Sequence, residues 1–279
     1  MAYKTLLTIL TDPAEVAHTL DAAVQVAIES EAHLDVLSLG LDRLQIGYSY
    51  IGAAVALAQA SMERATEDAS ALDATVKAKL GKQDILWSSE AAVAQIGSIA
   101  PLVSQRARTS DLVLLAHPYG KDKAPEAEAV LEAALFEGAA PVLLLPEGKL
   151  KPRSGRNIVI AWNEGREAMA AVRGAMPWLK AADIVDIVVV DPPVTGPDRS
   201  DPGGMLCQML VRHGVKAEVS VLARSTTRIC DVLNRHIRDR GADMLVMGAY
   251  GHSRLREALV GGATRDMLEE AEIPVLLAH

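Results

Sequence analysis

Apolar positions along this 279-residue chain fall into two alternating textures. Short runs dominated by Val, Leu and Ile lie near 4–10, 33–39, 83–87, 111–116 and 141–145, and again near 157–162, 183–190, 217–223, 243–248 and 274–278. The longer segments between them are rich in Ala, Glu and Leu, with apolar residues at helical spacing, as in Val16, Leu20, Ala23, Val24 and Ala27. The first texture predicts strands and the second helices. Runs such as Leu112–Leu115 and Ile187–Val190 are apolar at every position, so both faces must be covered, the mark of parallel strands between helices. This alternation predicts an α/β fold with a doubly wound, Rossmann-like sheet.

The pattern occurs twice. Ser110-Asp111-Leu-Val-Leu-Leu-Ala-His-Pro-Tyr-Gly120 is echoed by Ala242-Asp243-Met-Leu-Val-Met-Gly-Ala-Tyr-Gly251, and Ala140-Pro141-Val-Leu-Leu-Leu145 by Ile273-Pro274-Val-Leu-Leu277. Asp243 follows Asp111 by 132 residues and Pro274 follows Pro141 by 133, whereas Asn163 follows Asp12 by 151. The second copy is shorter by 18 residues, most of them lost between its second and third strands. Pro146–Gly155, rich in Pro, Gly and Lys, reads as a linker. Two tandem domains are expected, residues 1–148 and 155–279, each with a mainly parallel five-stranded sheet and helices on both faces.

Composition narrows the classes. Half of the residues are hydrophobic but only nine are aromatic, so the cores must be aliphatic. A net charge of −8 argues against a nucleic-acid coat and an anionic membrane surface, leaving room for a small basic pocket. Cys207 and Cys230 form neither a disulfide framework nor a zinc motif. The N-terminal apolar stretch is too short for a signal peptide, and no run of 18 apolar residues occurs. A cytoplasmic protein without a membrane span is expected.

In such sheets ligands bind beyond the carboxyl ends of the strands, where strand order reverses. The loop after the fourth strand of the second copy reads Gly248-Ala-Tyr-Gly251-His-Ser-Arg-Leu-Arg-Glu-Ala-Leu-Val-Gly261-Gly262-Ala-Thr264-Arg265. Gly248 and Gly251 would let backbone approach a ligand, and Gly261 and Gly262 precede a helix whose first N–H groups suit a phosphate. Thr264 adds a hydroxyl, and Arg254, Arg256 and Arg265 add charge. This spacing, Gly-x2-Gly-x9-Gly, resembles the nucleotide-binding signature of the universal stress protein family, and the resemblance spans the whole chain as two successive domains.

The resemblance implies the contacts. Ala161 and Asn163 match adenine-pocket positions where the family commonly has Pro and Asp. Val189 matches the residue packing on the base. Met247 and Gly248 match positions near the ribose, and Gly251, Gly261, Gly262 and Ala263 match the phosphate loop. Gly262 replaces the family's Ser or Thr, removing a hydrogen bond of about 1 kcal/mol, and Thr264 stands two positions later. Antiparallel pairing of the last strands, Val142–Leu145 and Val275–Ala278, is also implied, giving an intrachain pseudo-dimer and allowing a further homodimer. In the first copy the corresponding loop has Glu128-Ala129 in place of Gly261-Gly262. Formal charge is −2 over 116–132 against +2 over 248–265. Carboxylates satisfy a helix start and repel a phosphate, so the first loop is expected to be empty of nucleotide.

Other residues have plainer readings. His252 is either a phosphate contact or a solvent-facing loop residue. His117 reads as structural. Met205, Cys207 and Met209 read as core packing, and Cys230 as a small buried hydrophobe. Gly47–Ala58 is either a partner-binding patch or a loop leading into a buried helix, and the charges along 62–68 read as a solvated helix face. No catalytic or metal motif stands out. The function implied is a universal stress response protein that binds ATP or another adenine nucleotide, with or without Mg, in its second domain. It would act by regulating or protecting protein partners whose identity the sequence does not give. The alternatives are a nucleotide-independent scaffold and, by fold analogy, a slow ATPase.

Overall fold

A computed structural model describes residues 2–44, 51–120, 123–146, 154–192, 201–249 and 263–279, excluding the side chains of 51–54 and 263. The chain forms two compact units, Ala2–Ala140 and Pro141–His279. In the first, strands β1 (Thr5–Leu10), β2 (His33–Asp42), β3 (Trp87–Gln95) and β4 (Leu112–Ala116) lie parallel in the order β3-β2-β1-β4. Its helices are α1 (Val16–Ser30), α2 (Ile51–Leu80), α3 (Ile99–Ala107) and α4 (Pro125–Glu132), the last continued by a wider π turn over Ala133–Glu137.

The second unit holds β5 (Val142–Leu145), β6 (Asn157–Ala161), β7 (Ile184–Val190), β8 (Ala217–Leu222), β9 (Met244–Gly248) and β10 (Val275–Ala278). Their order is β5-β10-β9-β6-β7-β8, parallel except that β5 runs antiparallel to β10, with Leu143 opposite Leu276. Its helices are α5 (Arg166–Gly174), α6 (Met176–Ala181), α7 (Gly204–Arg212), α8 (Ile229–Arg240) and α9 (Ala263–Glu270).

Five strands per sequence copy are therefore present, but they group as four and six. The compact units divide at Ala140/Pro141, ahead of β5, and not in the linker after Pro146; residues 147–153 of that linker lie outside the described residues. The cause is packing. All four residues of β5 are buried, each worth on the order of 2 kcal/mol, and the strand hydrogen-bonds to β10.

The periodicity reading holds for α1, whose Val16, Leu20, Ala23, Val24 and Ala27 are all buried. It fails for the third strand, expected over 83–87 and found at Trp87–Gln95. β3 is a sheet edge paired only with β2, so it needs no apolar run; Ala94 is its one buried residue, while Leu86 just before it is 74% exposed. The missing 18 residues of the second copy are accounted for by α2, 30 residues long, against α7, only nine. Ala65, Ala69, Leu72, Val76 and Leu80 form its buried stripe, and the carbonyl of Ala65 lies so near Gly40 that a Cβ there would stand 1.9 Å from it.

The repeated aspartates do matching structural work. Asp111 Oδ2 accepts hydrogen bonds from the N–H groups of Lys4 (2.7 Å) and Thr5 (3.0 Å), and Asp243 Oδ1 from those of Arg156 and Asn157 (both 3.0 Å). Each ties the start of β4 or β9 to the start of the adjacent central strand, satisfying donors the ladder leaves over.

Candidate functional site

Strand order in the second unit reverses at β6, with β7 on one side and β9 on the other. Register levels their carboxyl ends: Ala161 lies opposite Val188 on β7 and Met247 on β9. The structure thus brings Ala161, Val189, Met247 and Gly248 together at one end of the sheet. The chain leaves β6 and β7 through left-handed turns at Glu164 (φ 61°) and Asp191 (φ 51°), both non-glycine, so these loops are locally strained. Asn163 is exposed, and its Oδ1 accepts the Gly165 N–H at 3.0 Å, as Asp12 Oδ1 accepts the Ala14 N–H at 2.8 Å in the first copy. Val189 is buried and packs beneath Gly203, where α7 begins.

Gly248 is explained by packing. A Cβ there would stand 2.5 Å from Ala168 N and 2.8 Å from Glu167 C, so the first turn of α5 occupies the space. That turn also brings in Glu167, which sequence reading missed. Its carboxylate is 7% exposed; burial alone would raise its pKa, yet its own backbone N–H, Arg166 at 3.0 Å and the charge of His279 hold it below the usual range. An acidic residue in a first helical turn was the available signal.

Gly251, His252, Arg254, Arg256, Gly261 and Gly262 lie outside the described residues. The described chain resumes at Ala263, the first residue of α9, and Thr264 beside it is buried. Arg265, counted above with the loop charge, instead bonds Glu269 within the helix at 3.0 Å. Arg228, just before α8, grips α9 through Asp266 (3.3 Å) and Glu270 (2.7 Å). Among the described residues, Cys230, Asp231 and Glu270 converge closely enough to hold a metal ion, but the Arg228 guanidinium already supplies their positive charge.

The first copy answers differently at the same point. Glu126, in the first turn of α4, and Thr264 are both buried, although the 133-residue offset of Pro141 and Pro274 sets Thr264 opposite Leu131 and not opposite Glu126. Glu126 Oε1 accepts from Arg43 Nε at 2.6 Å. Burial alone would raise this carboxyl, but bonds from Arg43 and its own backbone N–H, with the Arg43 charge, hold it below the ordinary range. Glu128 accepts from Tyr119 Oη at 2.9 Å, and Lys123 pairs with Glu15. Among the described residues of this loop, the positive group of Lys123 is met by one of the chain's own carboxylates.

His117 is buried, with Nδ1 3.3 Å from the Tyr119 carbonyl, as a structural residue should be. Cys230 is fully buried, and burial pushes its thiol up to about 11. Met205 departs from the core reading: it is 72% exposed on α7, with Cys207 and Met209 only half-buried. Residues 62–68 are largely exposed, as expected of a solvated face. The stretch 47–50 and the side chains of 51–54 lie outside the described residues, and farther along α2 Val55 and Leu57 are 56% and 58% exposed.

Comparisons with known proteins agree with this architecture. The profile of the Universal stress protein family matches residues 156–279. Universal stress protein Slr1230 of Synechocystis sp. is 36% identical over 69 residues, 25% of this chain; the match spans about a quarter of that relative, 23% of its length. A universal stress protein of Archaeoglobus fulgidus superposes with a TM-score of 0.73 at 12% identity, covering 98% of this chain and 96% of that one. A protein of Pseudomonas aeruginosa UCBPP-PA14 described under the same family name gives 0.60 at 17% identity, covering 99% and 93%. No helix among the described residues is long and apolar enough to cross a membrane. Residues 156–279 thus match the universal stress protein family, and over its whole length the chain has the fold of the solved structures from Archaeoglobus fulgidus and Pseudomonas aeruginosa.

Proposed function

We propose that the second copy binds one adenine nucleotide, ATP in the first instance, and that the chain acts as a nucleotide-dependent regulatory or protective binding protein without catalysing a reaction. The base would lie over the carboxyl ends of β6, β7 and β9, near Ala161, Asn163 and Val189, with the ribose near Met247. The phosphates would meet the start of α9 and the Gly251 and Gly261–Gly262 backbone, with Mg as their counter-ion. The observation that carries this reading is the contrast between the two loops that follow the fourth strands: Gly261, Gly262 and the buried Thr264 in the second copy, against Glu128 and the buried carboxylate of Glu126 in the first. A phosphate is repelled by Glu126 and accepts from a hydroxyl and from helix N–H groups.

Calorimetric titration of the full chain with ATP tests this. One site per chain is expected, abolished by Gly261→Glu and kept or strengthened up to about fivefold by Gly262→Ser, a single hydrogen bond being worth about 1 kcal/mol. Two sites, or binding that survives Gly261→Glu, would refute it. No heat at millimolar ATP would favour a nucleotide-independent scaffold, and phosphate release abolished by Gly261→Glu would establish an ATPase.

A further inference from the structure

Each unit carries a second cleft, at the end of the strands opposite to the proposed nucleotide site. In the first unit it measures about 360 Å³ and is walled by Asp35, Ser88, Glu90 and Arg106; in the second, about 340 Å³, by Asp186, Glu218, Asp239 and Arg240. The two are the same place in the repeat. Asp35 and Asp186 stand in the third positions of β2 and β7, Glu90 and Glu218 lie on the edge strands β3 and β8, and Arg106 and Arg240 come from the last turns of α3 and α8. Of these groups only the aspartate is strictly repeated: Ser88, not Glu90, stands opposite Asp35 as Glu218 stands opposite Asp186, and the 132-residue offset matches Arg106 with Arg238, so each cleft draws its glutamate and arginine from different positions.

The arginines of the two clefts are held differently. In the second, Arg240 reaches Asp186 Oδ2 with Nε at 3.2 Å and meets Glu218 with Nη2. In the first, Arg106 is turned entirely to Glu90, in a bidentate pair at 2.6 and 3.1 Å, leaving Asp35 with His33 and Ser88 and 40% exposed. Asp186 is 95% buried; His236 Nε2 lies 2.7 Å from its Oδ2, but its Oδ1 has no hydrogen-bond partner among the described residues. A buried carboxylate oxygen left without a donor is costly, and the missing group is a donor. Carboxylates outnumber arginines by two in the second cleft and by one in the first, beside the negative ends of α3 and α8. Yet the carboxylates of neither cleft converge tightly enough to hold a metal ion among the described residues.

We propose that these clefts bind a small organic cation of the alkylguanidinium class, two per chain, and that Arg240 is a displaceable internal occupant of the second. The chemistry is the one Arg240 itself displays: a planar guanidinium bonded to the strand aspartate and the edge glutamate. An incoming guanidinium would take its place on Asp186 while Arg240, 42% exposed, swings to solvent.

The probe is agmatine, titrated by NMR into the full chain at constant ionic strength. Two saturable sites in the millimolar range are expected, the weak affinity of so small a ligand (about 1 mM). Asp35→Asn should remove one. Glu218→Gln, on the surface where folding is not at stake, should weaken the other about tenfold, as loss of a charge-assisted bond does. Arg240→Gln should strengthen that site several-fold by removing the competitor, and saturating ATP should leave both unchanged. No saturation by about 20 mM, an equal response to sodium chloride, indifference to Asp35→Asn and Glu218→Gln, or displacement by ATP would overturn the proposal.

Discussion

Gly248→Ala separates packing from ligand approach at a single atom. The new Cβ would stand 2.5 Å from Ala168 N and 3.0 Å from Ala168 Cα, both backbone atoms that cannot rotate aside. Ordinary contact begins near 3.4 Å, so the first turn of α5 would have to retreat by roughly 0.9 Å. That helix is held by buried Ala168, Ala171 and Val172, and it packs against β9 and β10. Overpacking of this kind costs about 1–3 kcal/mol, which for a chain of this size lowers Tm by about 2–4 °C per kcal/mol. Calorimetry without nucleotide should therefore show a fall of roughly 2–12 °C. A variant that melts within about 1 °C of the parent, with only its ATP affinity reduced, would refute the packing account and return Gly248 to the ligand.

Four further outcomes are expected. Arg228→Ala releases Asp266 and Glu270 of α9 and should weaken ATP about tenfold with little loss of global stability, measured by titration beside a urea melt. Asp243→Asn exchanges a carboxylate for an amide at the N–H groups of Arg156 and Asn157, costing about 1–3 kcal/mol in a urea melt, and Asp111→Asn should cost a similar amount. Glu126 and Glu167 both titrate below their ordinary value of 4.5 in the folded state, so their contribution is complete above that pH and is lost as pH falls through the folded values. Urea midpoints between about pH 6 and 3 should fall less steeply in Glu126→Gln. Cys230, with its thiol raised to about 11 by burial, should resist maleimide at neutral pH while half-buried Cys207 reacts.

The architecture was legible wherever both faces of an element are buried, because there the hydrophobic pattern has no freedom. β4 and β7 lie within a residue of their expected places for that reason. β3 was displaced because an edge strand of Ser, Ala and Glu is written much like a loop. The antiparallel pairing of β5 with β10, implied by the family resemblance, is found; the repeat did not show that this pairing would group β5 with the second unit. At the candidate site, glycine spacing pointed to the carboxyl end of the sheet, but a glycine has two uses that sequence cannot separate; Gly248 yields to α5. Glu167 and Arg228 were missed because each acts through residues far away in sequence, at β9 and α9.

The antiparallel partnership of β5 and β10 also sets an order of events during synthesis. β5 leaves the ribosome some 130 residues ahead of its partner. At 5–20 residues per second, the edge of β5 that β10 will occupy stands open for on the order of 10 s. That edge carries Val142-Leu-Leu-Leu145, a short aliphatic strand of the kind that nascent chains on neighbouring ribosomes can capture. The Lys- and Pro-rich segment that follows it would then serve the growing polypeptide as a gatekeeper, keeping β5 soluble until its partner arrives.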